Sequence, residues 1–310
     1  MNTPTQKQTI QGIVNIFETG TVTGDYGSVV VIPGDTGHLT FGRSQTTLAS
    51  GNLGKLLHQY CDNPGAKFAS KLAPFLPRFD AIDLTLDNEQ YLQNVLRATA
   101  DDHIMRETQD AFFDAVYWAA ATRSADAVGI TTPLGVGVVY DSTIHGSWAK
   151  MRDTTTASAG AFATIGEQAW VTAYVATRRN WLATSSRKDL NATVYRMDAF
   201  SRLIELGEWG LELPLVVRGS EISLLTLNAM PKGCYDGPVP GSRNVSVQAP
   251  LLTGLDVRLL QLGLSASQPG IKADGVFGRG TATVLQAYQT AHGLPATGVA
   301  DAATFAALAV

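Results

Sequence analysis

The sequence predicts a mainly α-helical protein with one small antiparallel β-sheet near its start and a separate small helical module at its end. Apolar residues recur at helical spacing through most of residues 51–200. β-branched residues instead concentrate around one Pro-Gly turn within residues 28–41. Residues 235–250 are rich in Gly, Pro, Ser and Asn, which is typical of a linker. We therefore expect one domain over 1–234 and a second over 251–310.

Composition excludes several classes of protein. With 310 residues, 45% hydrophobic and 16% charged, the chain can build a sizeable core and a small satellite domain. A net charge of −4 without a Lys/Arg cluster argues against a nucleic-acid partner. No run reaches the roughly 18 apolar residues of a membrane span, and Met1–Thr9 lacks the apolar core of a secretory signal. Cys61 and Cys234 fit either free thiols or one disulfide.

The opening segment predicts a helix that ends at a carboxylate. Glu18 directly follows one helical apolar face, and Thr19-Gly20 is suited to end the helix. That face consists of residues at i, i+3, i+4 and i+7: Ile10, Ile13, Val14 and Phe17.

A short hairpin is predicted next. Ser28–Ile32 is a β-branched run, Pro33–Gly37 supplies turn residues, and Leu39–Phe41 returns as a second short strand. Asp35 therefore lies at the tip of the hairpin.

Glu18 and Asp35 are the separated pair of carboxylates that glycoside hydrolysis needs. Inverting glycosidases use one as acid and one as base, roughly 6.5–9.5 Å apart across the sugar. Beside Phe17, Glu18 is expected to be partly desolvated and protonated, whereas Asp35 among glycines is expected to be wetter and ionised. We therefore expect the two side chains to face each other across a groove. Taken alone, a solvated helix-end Glu and a turn-forming Asp explain the same residues.

The five histidines show no metal-ligand spacing, so neither a metal nor another cofactor is expected. Cys61 with His103 or His145 is the alternative enzyme class, a wall-cleaving cysteine peptidase. However, Cys61 lies on an apolar helix face near a helix C-terminus, where the dipole disfavours thiolate, so we interpret it as a core residue.

The last sixty residues contain an internal repeat. The residues Gly270, Ile271, Ala273, Gly275, Val276 and Thr281 recur 23 positions later as Gly293, Leu294, Ala296, Gly298, Val299 and Thr304. Each half predicts a turn followed by a helix, with Asp301 as N-cap of the last helix, in a three-helix module. The segment resembles the peptidoglycan-binding type 1 domain through Val257–Leu264, Asp274–Gly278, Val284–Gln289, Gly293–Gly298 and Asp301–Thr304. That resemblance implies bacterial cell wall as a partner; the alternative is a helical module that binds protein.

Residues 10–228 resemble the family-46 chitosanases of the lysozyme-like superfamily. The resemblance is carried by short motifs whose order and spacing agree: Ile16–Glu18, Gly34-Asp35, Leu39–Gly42, Tyr140-Asp141, His145-Gly146, Thr177–Arg179, Arg196–Asp198 and Gly207–Pro214. It implies a two-lobed, lysozyme-like α domain with a small sheet.

The same resemblance implies roles for individual residues. Glu18 would be the general acid and Asp35 the general base, and the Thr40 hydroxyl would help to hold the attacking water. Behind Glu18, three residues would form a charge network that controls its proton: Arg178, Asp141 and Arg196. Arg179 and Arg202 lie close in sequence to the two arginines and compete for the same role.

One departure from the family concerns the substrate. Twelve residues after Thr40, where chitosanases of this family carry an acidic residue that grips a glucosamine ammonium, this chain has Asn52. A neutral amide suits an N-acetylated sugar better than a cation, although Asn52 also fits as the cap of a helix that starts at Leu53. His38 and Tyr26 are further candidates for contact with sugar.

We therefore expect inverting hydrolysis of β-1,4 bonds in peptidoglycan glycan strands. Hydrolysis of chitosan is the first alternative, and an inactive wall-binding protein is the second. Without a signal, we expect synthesis in the cytoplasm and action in the periplasm, at the wall or outside the cell. A phage lysin, an injected effector with an immunity protein as partner, and a mature enzyme all fit.

Overall fold

The computed structural model describes residues 2–43, 45–268 and 270–309. Its helices in chain order are α1 (Pro4–Thr19), α2 (Asn52–Cys61), α3 (Ala69–Leu72), α4 (Leu76–Asp80), α5 (Gln90–Thr99), α6 (His103–Phe113), α7 (Ala119–Val128), α8 (Pro133–Ile144), α9 (Trp148–Ala159), α10 (Phe162–Ile165), α11 (Glu167–Ala183), α12 (Lys188–Asn191), α13 (Tyr195–Glu205), α14 (Leu224–Leu227), α15 (Leu255–Ser265), α16 (Arg279–Ala291) and α17 (Ala302–Leu308). The strands are β1 (Val29–Val30), β2 (Thr40–Phe41), β3 (Thr46–Thr47), β4 (Leu215–Val217) and β5 (Ser220–Ile222). The predicted mainly helical class with a small antiparallel sheet is confirmed.

The chain forms two compact units. The first combines residues 2–24 with 113–229, and the second combines 25–112 with 230–309. Among the described residues, no helix has the length and apolar character needed to cross a bilayer.

The first unit is built around α8. Residues 134–142 of this helix are all buried, and α1, α7, α11 and α13 pack against it. Helix α1 begins at a Thr3 capping box and ends at Gly20, whose φ of 73° closes the helix in the left-handed conformation. The predicted apolar face of α1 is buried in the core: Ile10, Ile13, Val14 and Phe17. Strands β4 and β5 form a second, two-stranded sheet here that the sequence pattern did not predict.

The second unit contains the predicted hairpin. Val29 pairs with Phe41 and Val30 with Thr40, and a third strand adds Thr47 opposite Thr40. This third strand was not predicted because its polar residues, Thr46 and Thr47, lack an apolar alternation. Helices α2 to α5 pack beside the sheet around an apolar core that includes Leu39, Phe41, Leu53, Leu57 and Val95.

Helices α15 to α17 form the predicted three-helix module. The Asp301 carboxylate accepts the Thr304 N–H at 2.9 Å, so the predicted N-cap is confirmed. The module belongs to the second unit, because Leu262 and Ala273 lie in the same apolar core as Leu39 and Val95. Helix α15 packs directly against α5.

Polar contacts lock this packing. The Asn94 side chain donates to the Ile271 carbonyl at 2.7 Å and accepts the Ala273 N–H at 2.9 Å. Arg258 donates to the Arg97 carbonyl at 2.6 Å, and its Nε lies 3.0 Å from a carboxylate oxygen of Asp101. Side chains of this buried pair are only 4% and 1% exposed.

The segment predicted as a linker is held at several points within this unit. The Tyr235 N–H donates to Asp101 at 2.8 Å, and the Leu255 N–H donates to the Gly237 carbonyl at 3.0 Å. Val245 and Ala300 exchange two hydrogen bonds of 2.9 Å. The second unit therefore extends across the boundary predicted between 234 and 251.

Candidate active site

Glu18 lies in the last turn of α1, where Gly20 ends the helix. Its side chain is 44% exposed and therefore partly buried, and its expected role as the acid stays a prediction. The side chains of its neighbours Ile16 and Phe17 are apolar and buried in the core, so they offer Glu18 no hydrogen bond. Arg196 instead donates a short, charge-assisted hydrogen bond to Glu18 Oε1.

Behind Glu18, the buried Asp141 carboxylate holds two arginines. Arg196 donates to one carboxylate oxygen at 2.6 Å, and Arg178 donates to the other at 3.1 Å. Asp141 and Arg178 are fully buried, and Arg196 is 3% exposed. Burial opposes the charge of Arg196, but Asp141 and Glu18 outweigh it and raise the pKa of Arg196. The guanidinium that touches Glu18 is therefore a permanent cation.

The structure separates these arginines from their sequence neighbours. Arg179 pairs with Asp198 at 2.5 Å, and Arg202 pairs with Glu205 at 3.2 Å, both on the exposed surface. Helix geometry explains why Arg178 and not Arg179 is buried. Arg178 continues the buried face of α11 that contains Tyr174, four residues earlier.

His145 is part of this cluster, although the sequence pattern assigned it no role here. Arg178 lies 2.9 Å from His145 Nδ1, and because an arginine can only donate, Nδ1 must accept. Burial and the cations Arg196 and Arg178 lower the pKa of His145, so its ring is neutral with the proton on Nε2. The signal in the sequence was the spacing of four from Asp141, which places both residues on one face of α8 or just beyond it.

Asp35 lies in the second unit, on the loop between β1 and β2. The Asp35 N–H donates to the Ile32 carbonyl at 3.0 Å, and Gly34 has a φ of 82°. Pro33 and Gly34 thus occupy the central positions of a type II turn, which requires a left-handed residue at its second central position. The Asp35 side chain is exposed, which agrees with the expectation that its carboxylate is hydrated.

Thr40 and His38 are held together at the start of β2. The Thr40 hydroxyl donates to the His38 carbonyl at 2.9 Å. His38 has the left-handed φ of 58°, and its Nδ1 lies 2.8 Å from Asp87. Thr40 is 8% exposed.

Asn52 is the first residue of α2, and it does not cap that helix. The cap is Gly51 with a φ of 73°, and the Asn52 N–H donates to the Ser50 hydroxyl at 3.3 Å, so the Asn52 side chain has no part in capping the helix. The interpretation of Asn52 as a cap is therefore wrong. Among the described residues, the Asn52 amide makes no hydrogen bond through its side chain, so it is free to bind a ligand.

Tyr26 is not an exposed platform for sugar. It is 6% exposed and packs with Ala100 and Cys234. Its hydroxyl donates to Asp110 at 2.7 Å. The suggestion of a sugar-binding Tyr26 is corrected because its ring belongs to a core cluster.

The cysteine alternative has no support. Cys61 and Cys234 are both free thiols. Burial raises the pKa of each thiol to about 11, so both stay protonated near neutral pH and are poor nucleophiles. Across the three described stretches, no group of His, Cys, Asp and Glu side chains is arranged to hold a metal ion.

Comparison with known proteins shows which protein family the chain belongs to. The model of glycosyl hydrolase family 46 matches residues 12–215, and that of a peptidoglycan binding domain matches residues 253–308. The chain belongs to glycosyl hydrolase family 46. It is therefore a glycoside hydrolase, followed by a peptidoglycan-binding module.

The relatives of this family-46 enzyme are chitosanases. A chitosanase of Bacillus subtilis (strain 168) is 26% identical over 231 residues, which cover 70% of this chain and 83% of the relative. The native chitosanase of Bacillus subtilis MY002 shares 25% identity with a TM-score of 0.58, over 70% of this chain and 96% of that one. The Gynuella sunshinyii chitosanase, solved with chitotetraose, has the same fold at 23% identity and a TM-score of 0.59, over 72% of this chain and 99% of that one.

Proposed function

We propose that this family-46 enzyme hydrolyses β-1,4 bonds in peptidoglycan glycan strands with inversion of configuration. The observation that carries this proposal is the free amide of Asn52, on a chain whose second unit also contains the peptidoglycan-binding module. A neutral amide offers both a donor and an acceptor to an N-acetyl group, whereas a carboxylate would bind a glucosamine ammonium.

In the proposed mechanism, Glu18 protonates the leaving oxygen and Asp35 activates water. Arg196 stays hydrogen-bonded to Glu18 during the reaction and stabilises the carboxylate that Glu18 becomes after it gives up its proton. Asp141 and Arg178 hold Arg196 in place. Thr40 binds the attacking water through its hydroxyl oxygen. The separation of the two carboxyl groups, expected at roughly 6.5–9.5 Å for inversion, stays a prediction.

Chitosan is the second candidate substrate, because the relatives are chitosanases. Dye release from purified sacculi and from soluble chitosan separates the two. We expect release from sacculi, with products that carry the anomeric configuration opposite to the cleaved bond by NMR. Glu18→Gln and Asp35→Asn should each abolish turnover without loss of folding. Near-wild-type activity in either variant would refute the assignment of roles.

Position 52 gives the test of substrate choice. Asn52→Asp should raise activity on chitosan relative to sacculi, because it restores a partner for a glucosamine ammonium. Asn63→Asp, an exposed site just beyond α2, is the control with the same change of charge. If both variants have the same ratio of activities as the wild type, Asn52 does not select the sugar.

The proposed setting follows from the proposed substrate. We propose that the enzyme acts on the wall after delivery to the periplasm or the outside, where an immunity protein would be needed by a producing cell. Expression with a periplasmic leader should lyse a Gram-negative host, and expression without one should not. Glu18→Gln with the leader is the inactive control.

A further inference from the structure

The loop that carries Asp35 has few hydrogen bonds of its own. Strand β1 ends at Val30 and β2 begins at Thr40, so residues 31–39 lie outside the ladder. Besides the turn at Asp35, backbone hydrogen bonds tie this loop at two points to the residues that follow β3: the Leu48 N–H donates to the Leu39 carbonyl, and the Ala49 N–H donates to the Gly37 carbonyl.

One side chain from outside the hairpin fixes the end of this loop. The Asp87 carboxylate accepts the Leu39 N–H at 2.7 Å with one oxygen, and its other oxygen lies 2.8 Å from His38 Nδ1. Because a carboxylate oxygen accepts, Nδ1 of His38 is the donor in this contact. Two consecutive residues, one of them in a left-handed conformation that is unfavourable for a residue with a side chain, are thus held by a single group.

The position of His38, which Asp87 holds, determines how the Thr40 hydroxyl can hydrogen-bond. The Thr40 hydroxyl gives its only proton to the His38 carbonyl, at 2.9 Å. Its oxygen can therefore only accept a hydrogen bond from a water molecule. A water that donates to Thr40 directs a lone pair elsewhere, as an attacking water must.

We propose that Asp87 is a positioning residue for the hydrolysis: by holding His38, it fixes the carbonyl that orients the Thr40 hydroxyl as an acceptor for the attacking water. This inference rests on the proposed function of Thr40. Asp87 itself does not touch substrate in this arrangement; it acts through His38 and Thr40.

The element that carries Asp87 is held by other contacts, so its carboxylate is not needed to fold it. Asp87 lies in a short 3₁₀ turn, Leu84–Asn88, which Asp83 caps by accepting the Thr85 N–H. Arg78 ties this turn to its neighbours through Asp83 and Glu89, each at 2.7 Å. The Asp87 carbonyl also accepts a bond from Gln93 at 2.9 Å.

The test is a double-mutant cycle in the full-length enzyme, with dye release from sacculi and from soluble chitosan as the readout. Asp87→Ala should lower kcat about tenfold to a hundredfold, with KM changed by less than about threefold, because a small misplacement of a catalytic group is costly while binding is untouched. Thr40→Val should lower kcat similarly. Since Asp87 acts through Thr40, adding Asp87→Ala to Thr40→Val should have little further effect.

Two variants sharpen the result. Asp87→Asn should recover most of kcat, since its amide accepts the Leu39 N–H and donates to the other tautomer of His38. Asp80→Ala breaks an exposed His–Asp pair of the same 2.8 Å length, with His58, and should leave kcat unchanged.

The outcomes are distinct. Wild-type kcat in Asp87→Ala, or losses in Asp87→Ala and Thr40→Val that multiply in the double variant, would overturn the positioning role. A harmless Thr40→Val with an inactive Glu18→Gln would also overturn it, while leaving the hydrolytic roles of Glu18 and Asp35 intact. Full activity in Glu18→Gln would refute the proposed mechanism itself.

Discussion

Gly37 lies close to the Asp35 carboxylate. A Cβ placed on Gly37 would lie 3.1 Å from Asp35 Oδ2 and 3.0 Å from the Thr47 methyl carbon. Both distances are shorter than an ordinary van der Waals contact, so a side chain here must displace one of these neighbours. The glycine therefore leaves room for the proposed base.

We expect Gly37→Ala to lower kcat about tenfold or more, because the methyl group pushes the Asp35 carboxylate or β3 out of place. Steady-state kinetics on sacculi and chitosan measure the loss. Gly280→Ala is the control, since a Cβ there meets nothing within 4 Å. Equal kcat for both variants would mean that the position of Asp35 tolerates the shift.

Single residues also show where the sequence pattern was informative. Helical periodicity distinguishes Arg178 from Arg179, since only Arg178 falls on the face with Trp170 and Tyr174. The same applies to Arg196, which shares the buried face of α13 with Phe200. From the sequence alone the choice between the competing arginines stays open, and the buried faces of these two helices decide it.

At the scale of elements, a buried glutamine explains the repeat in the module. Gln261 of α15 accepts the Gly275 N–H at 2.8 Å and donates to the Val276 carbonyl at 3.0 Å. It also donates to the hydroxyl of Thr281 at 3.1 Å. Each repeat is thus a helix whose glutamine binds the loop and helix that follow.

The second half repeats these contacts residue for residue. Gln289 of α16 accepts the Gly298 N–H at 2.9 Å, and it donates to the Val299 carbonyl at 2.8 Å and to Thr304 at 3.2 Å. The repeated Gly, Val and Thr of the sequence are therefore the partners of two equivalent amides. Both loops need a left-handed glycine, with φ of 76° at Gly275 and 69° at Gly298.

We expect Gln261→Ala and Gln289→Ala each to lower the free energy of unfolding by about 2–3 kcal/mol, because each leaves a buried N–H and carbonyl without partners. Urea denaturation followed by circular dichroism measures the change. Gln286→Ala, exposed on α16, should change stability by less than about 0.5 kcal/mol. A similar small effect in all three variants would contradict a structural role for the two buried amides.

At the scale of the whole molecule, the wall-binding module belongs to the same compact unit as Asp35. Helix α15 places Arg258 against Asp101, where Tyr235 N–H also binds. Burial raises the pKa of Asp101 to about 6, although Arg258 and the Tyr235 N–H act in the opposite direction. The folded protein therefore binds a proton at Asp101 more tightly than the unfolded chain, whose Asp pKa is about 3.9.

The difference between the folded and unfolded pKa of Asp101 contributes to the free energy of unfolding below about pH 4, and this contribution is lost as pH rises through about 6. Asn at position 101 does not titrate. We therefore expect the free energy of unfolding of the wild type, less that of Asp101→Asn, to fall by about 2 kcal/mol between pH 4 and pH 7. Urea denaturation of both proteins across this range gives the difference. A difference that is constant with pH, or that rises, would contradict the buried state of Asp101.

The sequence by itself determined the helical class, the position of Glu18 in the last turn of α1, the turn at Asp35 and the three helices of the module. These features depend on periodicity, capping and turn residues, which act over a few neighbouring positions.

Tertiary structure alone decided how residues distant in sequence meet. Asp141, Arg178 and Arg196 come from three helices and form one network, in which Arg196 contacts Glu18, and Asp87 reaches the hairpin from a 3₁₀ turn. The apolar face of α15 could pack against any complementary surface, and only the fold shows that α5 provides it. Such contacts depend on the fit of whole surfaces, which no local pattern in the chain records.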